Sequence, residues 1–81
     1  MAKTFHLTVA KVGENLFDGE ALSVTVPGAE GVMTVLANHE PFVTPLKEGT
    51  IRVHTEEGEQ SFDLSQAGIL EVSNNQATVI I

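Results

Sequence analysis

Phe5-His6-Leu7-Thr8-Val9-Ala10 decides how the rest of the chain is read. In an extended chain successive side chains point to opposite faces, so Phe5, Leu7 and Val9 line one buried face and His6, Thr8 and Ala10 the other. The same period returns along the chain. Leu22, Val24 and Val26 alternate with Ser23 and Thr25, and Ile51 and Val53 with Arg52 and His54. Phe62 and Leu64 flank Asp63, and Leu70 and Val72 flank Glu71. The run from Val32 to Leu36 is short, and its β-branched Val32, Thr34 and Val35 tilt it toward strand. Ala77-Thr78-Val79-Ile80-Ile81 reads as a final strand. Turn signals separate these runs at Val12-Gly13-Glu14-Asn15, Pro27-Gly28-Ala29-Glu30-Gly31, Glu48-Gly49, Glu56-Glu57-Gly58-Glu59 and Ser73-Asn74-Asn75. Pro41 and Pro45 bracket Phe42-Val43-Thr44, which reads as a loop or an edge because proline cannot donate to a ladder. No stretch reads as a helix. The spacing predicts an all-β domain, a small antiparallel sandwich or barrel.

Composition narrows the class. The chain has 81 residues, enough for a single domain over 1–81, and its 42% apolar content suits a globular fold. It has no cysteine, which excludes disulfides and thiolate metal sites. Eleven acidic residues against four Lys and Arg give 4 − 11 = −7, a balance that argues against nucleic acid. No apolar run approaches the ~20 residues of a membrane helix. Met1-Ala2-Lys3-Thr4 runs straight into alternating sequence and reads as neither a signal peptide nor a transit peptide.

A search for chemistry finds none. His6 and His54 fall on the polar phase of strands, and His39 stands apart, with no HxH or HExxH spacing. None of Ser23, Ser61, Ser65 or Ser73 lies in a G-x-S-x-G turn. Glu56, Glu57 and Glu59 read as a solvated hairpin tip, and no lysine or helix follows Gly28-x-x-Gly31 to make a phosphate loop. The expectation is a non-enzyme with no catalytic residues, no metal, no cofactor and no small-molecule substrate. One segment stays unabsorbed: residues 30–44, which carry Met33, Leu36 and Phe42 in a region rich in breakers. It is either a strand and loop tucking apolar residues under the sandwich rim or an exposed patch that docks a partner.

That segment resembles the signature of the epsilon subunit of the F-type ATP synthase, Glu-Gly-x-x-Gly-x-x-Pro-Gly-His-x-Pro-Leu-x-Thr, matched in order by Glu30, Gly31, His39, Pro41 and Thr44. Leu46-Lys47-Glu48-Gly49-Thr50-Ile51-Arg52-Val53 is similar to the family's Leu-Lys-x-Gly-x-Ile/Val-Arg-Ile/Val. Gly68-Ile69-Leu70-Glu71-Val72 and Ala77-Thr78-Val79 are similar to its closing strands, and Phe5 through Gly19 to its opening. The chain departs at Thr34, in place of the second glycine, at Ala37-Asn38, in place of Pro-Gly, and at Ala67, in place of the first glycine of a pair. Asn38 suits a left-handed turn, and Thr34 fits wherever the backbone is ordinary strand.

The resemblance implies a β-sandwich of about ten short strands on the central stalk of a rotary ATP synthase. It implies a non-catalytic subunit that couples rotation of the c-ring to the gamma subunit, peripheral to the cytoplasmic face of a bacterial plasma membrane. By the same carry-over, Glu30, Gly31, Val32 and Met33 face the polar loops of the c-ring. Lys11, His39, Glu40, Pro41, Phe42 and Thr44 face gamma. The family's C-terminal helical hairpin, with its inhibitory function, is absent from residues 1–81. A free-standing sandwich that binds protein or carbohydrate is the alternative, disfavoured by four Phe with no Trp or Tyr.

Overall fold

In the computed structural model, which describes residues 3–81, the runs picked out by alternation lie in strands except for Leu22, which falls between the second and third, and Ile81, which follows the last. Met1 and Ala2, part of the stretch read above for targeting signals, lie outside the described residues. The nine strands are β1 (Phe5–Lys11), β2 (Glu14–Ala21), β3 (Ser23–Gly28), β4 (Gly31–Leu36), β5 (Phe42–Leu46), β6 (Gly49–Thr55), β7 (Gly58–Leu64), β8 (Gly68–Ser73) and β9 (Gln76–Ile80). About ten were expected.

The strands form one path, β2-β1-β9-β8-β5-β3-β6-β7, with β4 on the other side of β3. The path turns a corner between β5 and β3, which share one register pair, Gly28 with Leu46. Two further bonds brace it: Ala29 N–H donates to the Pro45 carbonyl at 3.0 Å, and Lys47 N–H to the Pro27 carbonyl at 2.9 Å. The corner divides the sheet into two layers, β2-β1-β9-β8-β5 and β4-β3-β6-β7. All pairs are antiparallel except β1 with β9.

The alternating residues fill the space between the layers. Phe5, Leu7, Val9, Val24, Val26, Ile51, Val53, Leu64, Leu70, Val72 and Val79 are all buried, and among the described residues no polar side chain joins them. At the far flank the layers meet through Phe17 of β2 and Phe62 of β7, whose rings make an edge contact with centroids 6.4 Å apart.

Three local outcomes differ from the expectation or refine it. Strand β2 escapes the alternation because of a bulge. Val9 pairs with Phe17 and Ala10 with Asn15, so Leu16 is an extra residue. Both Leu16 and Phe17 then pack against the core, which breaks the period of two. The turn expected over residues 12–15 is confined to Val12 and Gly13, with Gly13 at φ 77°, and Glu14 already begins β2. Residues 42–46 form a paired strand with β8 and are an edge only on their other side. Asn38 adopts φ 62°, the left-handed turn its residue type suits, and Thr34 sits in ordinary strand opposite Thr25. Asn74 and Asn75, at φ 44° and 59°, make the tight β8–β9 turn, which requires two positive φ values.

Candidate functional site

The register pairs place the singled-out residues. Gly28 lies beside Leu46 and Leu46 beside Gly68, while Ile69 lies beside Ile80 and Ile80 beside Ala10. The β3–β4 tip, the turn at 12–13 and the β5–β6 turn therefore share one end of the sandwich. The loop at 37–41 and the Asn74-Asn75 turn share the opposite end.

At the first end, Glu30 and Gly31 are exposed, Val32 is 74% exposed, and Met33 turns inward onto the core. The tip is drawn tight: a Cβ at Gly28 would lie 2.7 Å from the Gly31 carbonyl oxygen. Lys11, also exposed, stands at this end and pairs loosely with Glu14 at 3.6 Å. At the opposite end His39, Glu40 and Pro41 are exposed. His39 Nδ1 lies 3.0 Å from the Glu40 carbonyl oxygen, and its ring packs on Phe42 with centroids 4.8 Å apart. Asn75 fixes the loop, its Oδ1 accepting from Asn38 N–H at 2.8 Å while its Nδ2 donates to the Thr4 carbonyl at 2.9 Å.

The structure thus gathers Glu30, Gly31, Val32 and Met33 with Lys11 near one end and leaves residues 39–42 at the other. The length of β5, roughly 13 Å at about 3.3 Å per residue, separates them. Phe42 and Thr44 lie on the inward face of β5, level with buried Val72 and Leu70, and Phe42 packs against the core. Val43 and Pro45 point outward.

Those outward residues belong to a feature that the strand period conceals. Pro45 pairs with Ile69, Ile69 with Ile80, and Ile80 with Ala10, forming an apolar row across the outer face of four strands. Val43 is 64% exposed, Ile69 49% and Ile80 54%, and Val12, 97% exposed, stands in the turn beyond. Single exposed apolar residues are ordinary, whereas a connected row on one sheet face is a candidate interaction surface. The signal in the sequence is the apolar residue on the polar phase: Ile69 beside Leu70 and Ile80 beside Val79. At the far corner of this face His6 stands between two carboxylates, with Nε2 2.6 Å from Asp18 and Nδ1 3.3 Å from Glu20. Among the described residues there is no cavity and no group of His, Asp and Glu able to hold a metal ion. What the molecule offers is a shaped surface.

Comparison with known proteins agrees with that architecture. The family model described as ATP synthase, Delta/Epsilon chain, beta-sandwich domain matches residues 4–81. A protein of Delftia acidovorans named ATP synthase epsilon chain is 36% identical over 77 residues, 95% of this chain and 56% of the relative. The chain thus spans about half the length of the curated relative it matches. A chain in the cryo-EM structure of the Euglena gracilis mitochondrial ATP synthase, OSCP/F1/c-ring in rotational state 1, superposes with a TM-score of 0.87 at 26% identity, covering 95% of this chain and 49% of that one. A chain in the Tetrahymena thermophila mitochondrial ATP synthase, central stalk/c-ring, gives a TM-score of 0.81 at 10% identity over 96% of this chain and 63% of that one, a likeness of fold alone. With the match running from Thr4 to Ile81, the chain belongs to the family of ATP synthase delta/epsilon chain β-sandwich domains.

Proposed function

We propose that this domain is the coupling part of a central-stalk rotor subunit of an F-type ATP synthase, a non-catalytic piece that transmits c-ring rotation to the gamma subunit. The observation that carries the reading is the apolar row Pro45-Ile69-Ile80-Ala10 with Val43, lying between Lys11 at one end and the loop at 37–41 at the other. Gamma takes this outer face, and the exposed tip at Glu30, Gly31 and Val32 takes the polar loops of the c-ring. The two sites lie on different parts of one hydrogen-bonded body, which suits torque passing through interfaces. The resemblance of residues 30–44 to the epsilon signature and the fold's likeness to a chain of an F1/c-ring assembly support the assignment. On this reading the domain works at the cytoplasmic side of a bacterial plasma membrane, held there through the complex.

On this reading the anchors for gamma are not the ones the motif suggests. Phe42 supports the loop from within, and Val43, Ile69 and Ile80 make the contact. A carbohydrate-binding module is disfavoured, since Phe5 is buried and Phe17, Phe42 and Phe62 pack against the core, leaving no aromatic platform. Titration calorimetry with the gamma subunit of the same organism tests the proposal. Ile69→Lys should weaken binding about a hundredfold, as loss of a central apolar anchor does, while Glu57→Ala leaves it unchanged. Equal affinities for the two variants overturn it.

A further inference from the structure

Four strands have an edge that faces away from their own layer: β2, β7, β4 and β5. Three are blunted in ways that stop another chain from pairing. Strand β2 carries Glu14, Asp18 and Glu20, and β7 carries Glu59 and Asp63. Strand β5 contains Pro45 and is covered at one end by Gly28 of β3. Charges, prolines and covering segments are the devices that keep sheet edges from adding strands. Strand β4, Gly-Val-Met-Thr-Val-Leu, has neither charge nor proline, and among the described residues it pairs only with β3.

The register shows what that edge presents. Gly28 and Gly31 close a hairpin with Ala29 and Glu30 as its loop, and pairs then alternate up the ladder. In an antiparallel pair, residues of alternate positions turn both main-chain groups toward the partner and the others turn both away. Gly31, Met33 and Val35 bond to β3, so the N–H and C=O groups of Val32, Thr34 and Leu36 face outward. Thr34 Oγ1 lies 3.0 Å from Thr25 Oγ1, the close side-chain approach of a non-bonded pair. The three side chains at these positions stand exposed on the outer face, Val32 at 74% and Leu36 at 58%.

We propose that the β4 edge accepts an extended segment of a partner protein as an added strand. Its main-chain groups would pair with Val32, Thr34 and Leu36, and its β-branched or apolar side chains would lie beside theirs. Charge selects the occupant. Glu30 precedes the strand, Glu40 follows it, and the chain carries −7 overall, so the segment that fits is uncharged at its centre and flanked by Lys or Arg. A second copy fits badly. Antiparallel pairing of two β4 strands would set Glu30 of one near the acidic end of the other and bring two chains of charge −7 together.

The test uses the synthetic peptide Lys-Lys-Val-Thr-Val-Thr-Val-Lys-Lys and its twin with Glu in place of Lys, titrated into the isotope-labelled domain. The basic peptide should shift the amide resonances of Val32, Thr34 and Leu36 saturably, and the acidic twin should bind about tenfold weaker or less. Thr34→Pro removes the central outward donor and should abolish the shifts. Should that variant fail to fold, Thr34→Lys keeps the backbone and should weaken the basic peptide about tenfold by repulsion. Shifts confined to β2, β7 or the Ile69 face, equal binding of both peptides, or self-association of the free domain through β4 would each overturn the proposal. None of these readouts involves gamma, so failure here leaves the assignment of the Ile69 face standing, and failure there leaves this one.

Discussion

Ile69 and Leu70 are chain neighbours on opposite faces of β8, and substituting each by alanine measures the phase of that strand. Leu70 is fully buried and lies between Thr44 of β5 and Val79 of β9. Leu70→Ala removes three buried carbons, about 2.4 kcal/mol at about 0.8 kcal/mol each, and leaves a cavity in a core closed on both sides. The expected loss is about 3–4 kcal/mol. Ile69→Ala removes as many carbons from a residue 49% exposed, so about 1 kcal/mol is expected. An 81-residue domain has about 4–12 kcal/mol in total, so the first change takes a large share of its stability and the second a small one. At about 4–8 °C per kcal/mol, Tm should fall by about 12–30 °C for Leu70→Ala and about 4–8 °C for Ile69→Ala. Thermal unfolding by circular dichroism reads these shifts, with urea melts at constant m as a check that both variants unfold from the same state. Equal losses, or the reverse order, would mean that β8 is paired one residue out of register and that the outer apolar row does not exist.

Gly68→Ala should cost about 1–3 kcal/mol, because the added Cβ would sit 2.6 Å from the Ile80 carbonyl oxygen and β9 is held on both sides; a Tm unchanged within 2 °C (about 0.5 kcal/mol at this size) would refute the close approach. Asn75→Ala should cost about 2 kcal/mol, through lost bonds to Asn38 and Thr4 and an alanine forced to positive φ. Asn75→Gly keeps the backbone freedom and should recover about 1 kcal/mol of that in a urea melt, and identical melts would show that φ carries no part of the effect. Phe42→Ala should destabilise by about 2 kcal/mol as its packing on the core is lost, while Val43→Ser stays within about 0.5 kcal/mol yet weakens gamma binding in calorimetry. A Phe42→Ala variant that keeps full stability would return that ring to the interface.

Most strands were legible because a layer buried on one side demands a period of two, and Phe5, Leu7, Val9, Ile51, Val53, Leu70 and Val72 obey it. Strand β2 was not, since the bulge at Leu16 turns two consecutive apolar residues to the core. Strand β5 was half legible: Pro45 within it and Pro41 just before it point to an edge, and Phe42 and Thr44 face inward against β8. The candidate site was harder to read. Alternation separates core from solvent, and it treats every residue on the solvent phase alike. Val43, Ile69 and Ile80 become a surface only when the order β5-β8-β9-β1 sets them side by side, and that order includes a parallel pair between strands far apart in sequence. The motif at residues 30–44 runs from one end of the sandwich to the other and does not distinguish Phe42, which faces inward, from Val43, which faces out.

The placement of charge explains how such a surface stays available. Glu14, Asp18 and Glu20 occupy one free edge, Glu59 and Asp63 another, and Glu56 and Glu57 a hairpin tip. Within the outer face of β5, β8 and β9 the carboxylates reduce to Glu71, level with Val43. The net −7 is therefore carried on the perimeter and the apolar row at the centre. Like charge around the perimeter opposes the face-to-face approach of two copies without any polar residue intruding on the row. A partner with basic residues around an apolar centre experiences the opposite: the perimeter draws it in and the row holds it. Charge then governs the approach and apolar burial the residence. On the proposed reading this division lets one exposed face remain soluble alone and hold firm under torque, because the residues that keep it from aggregating are not the residues that bind.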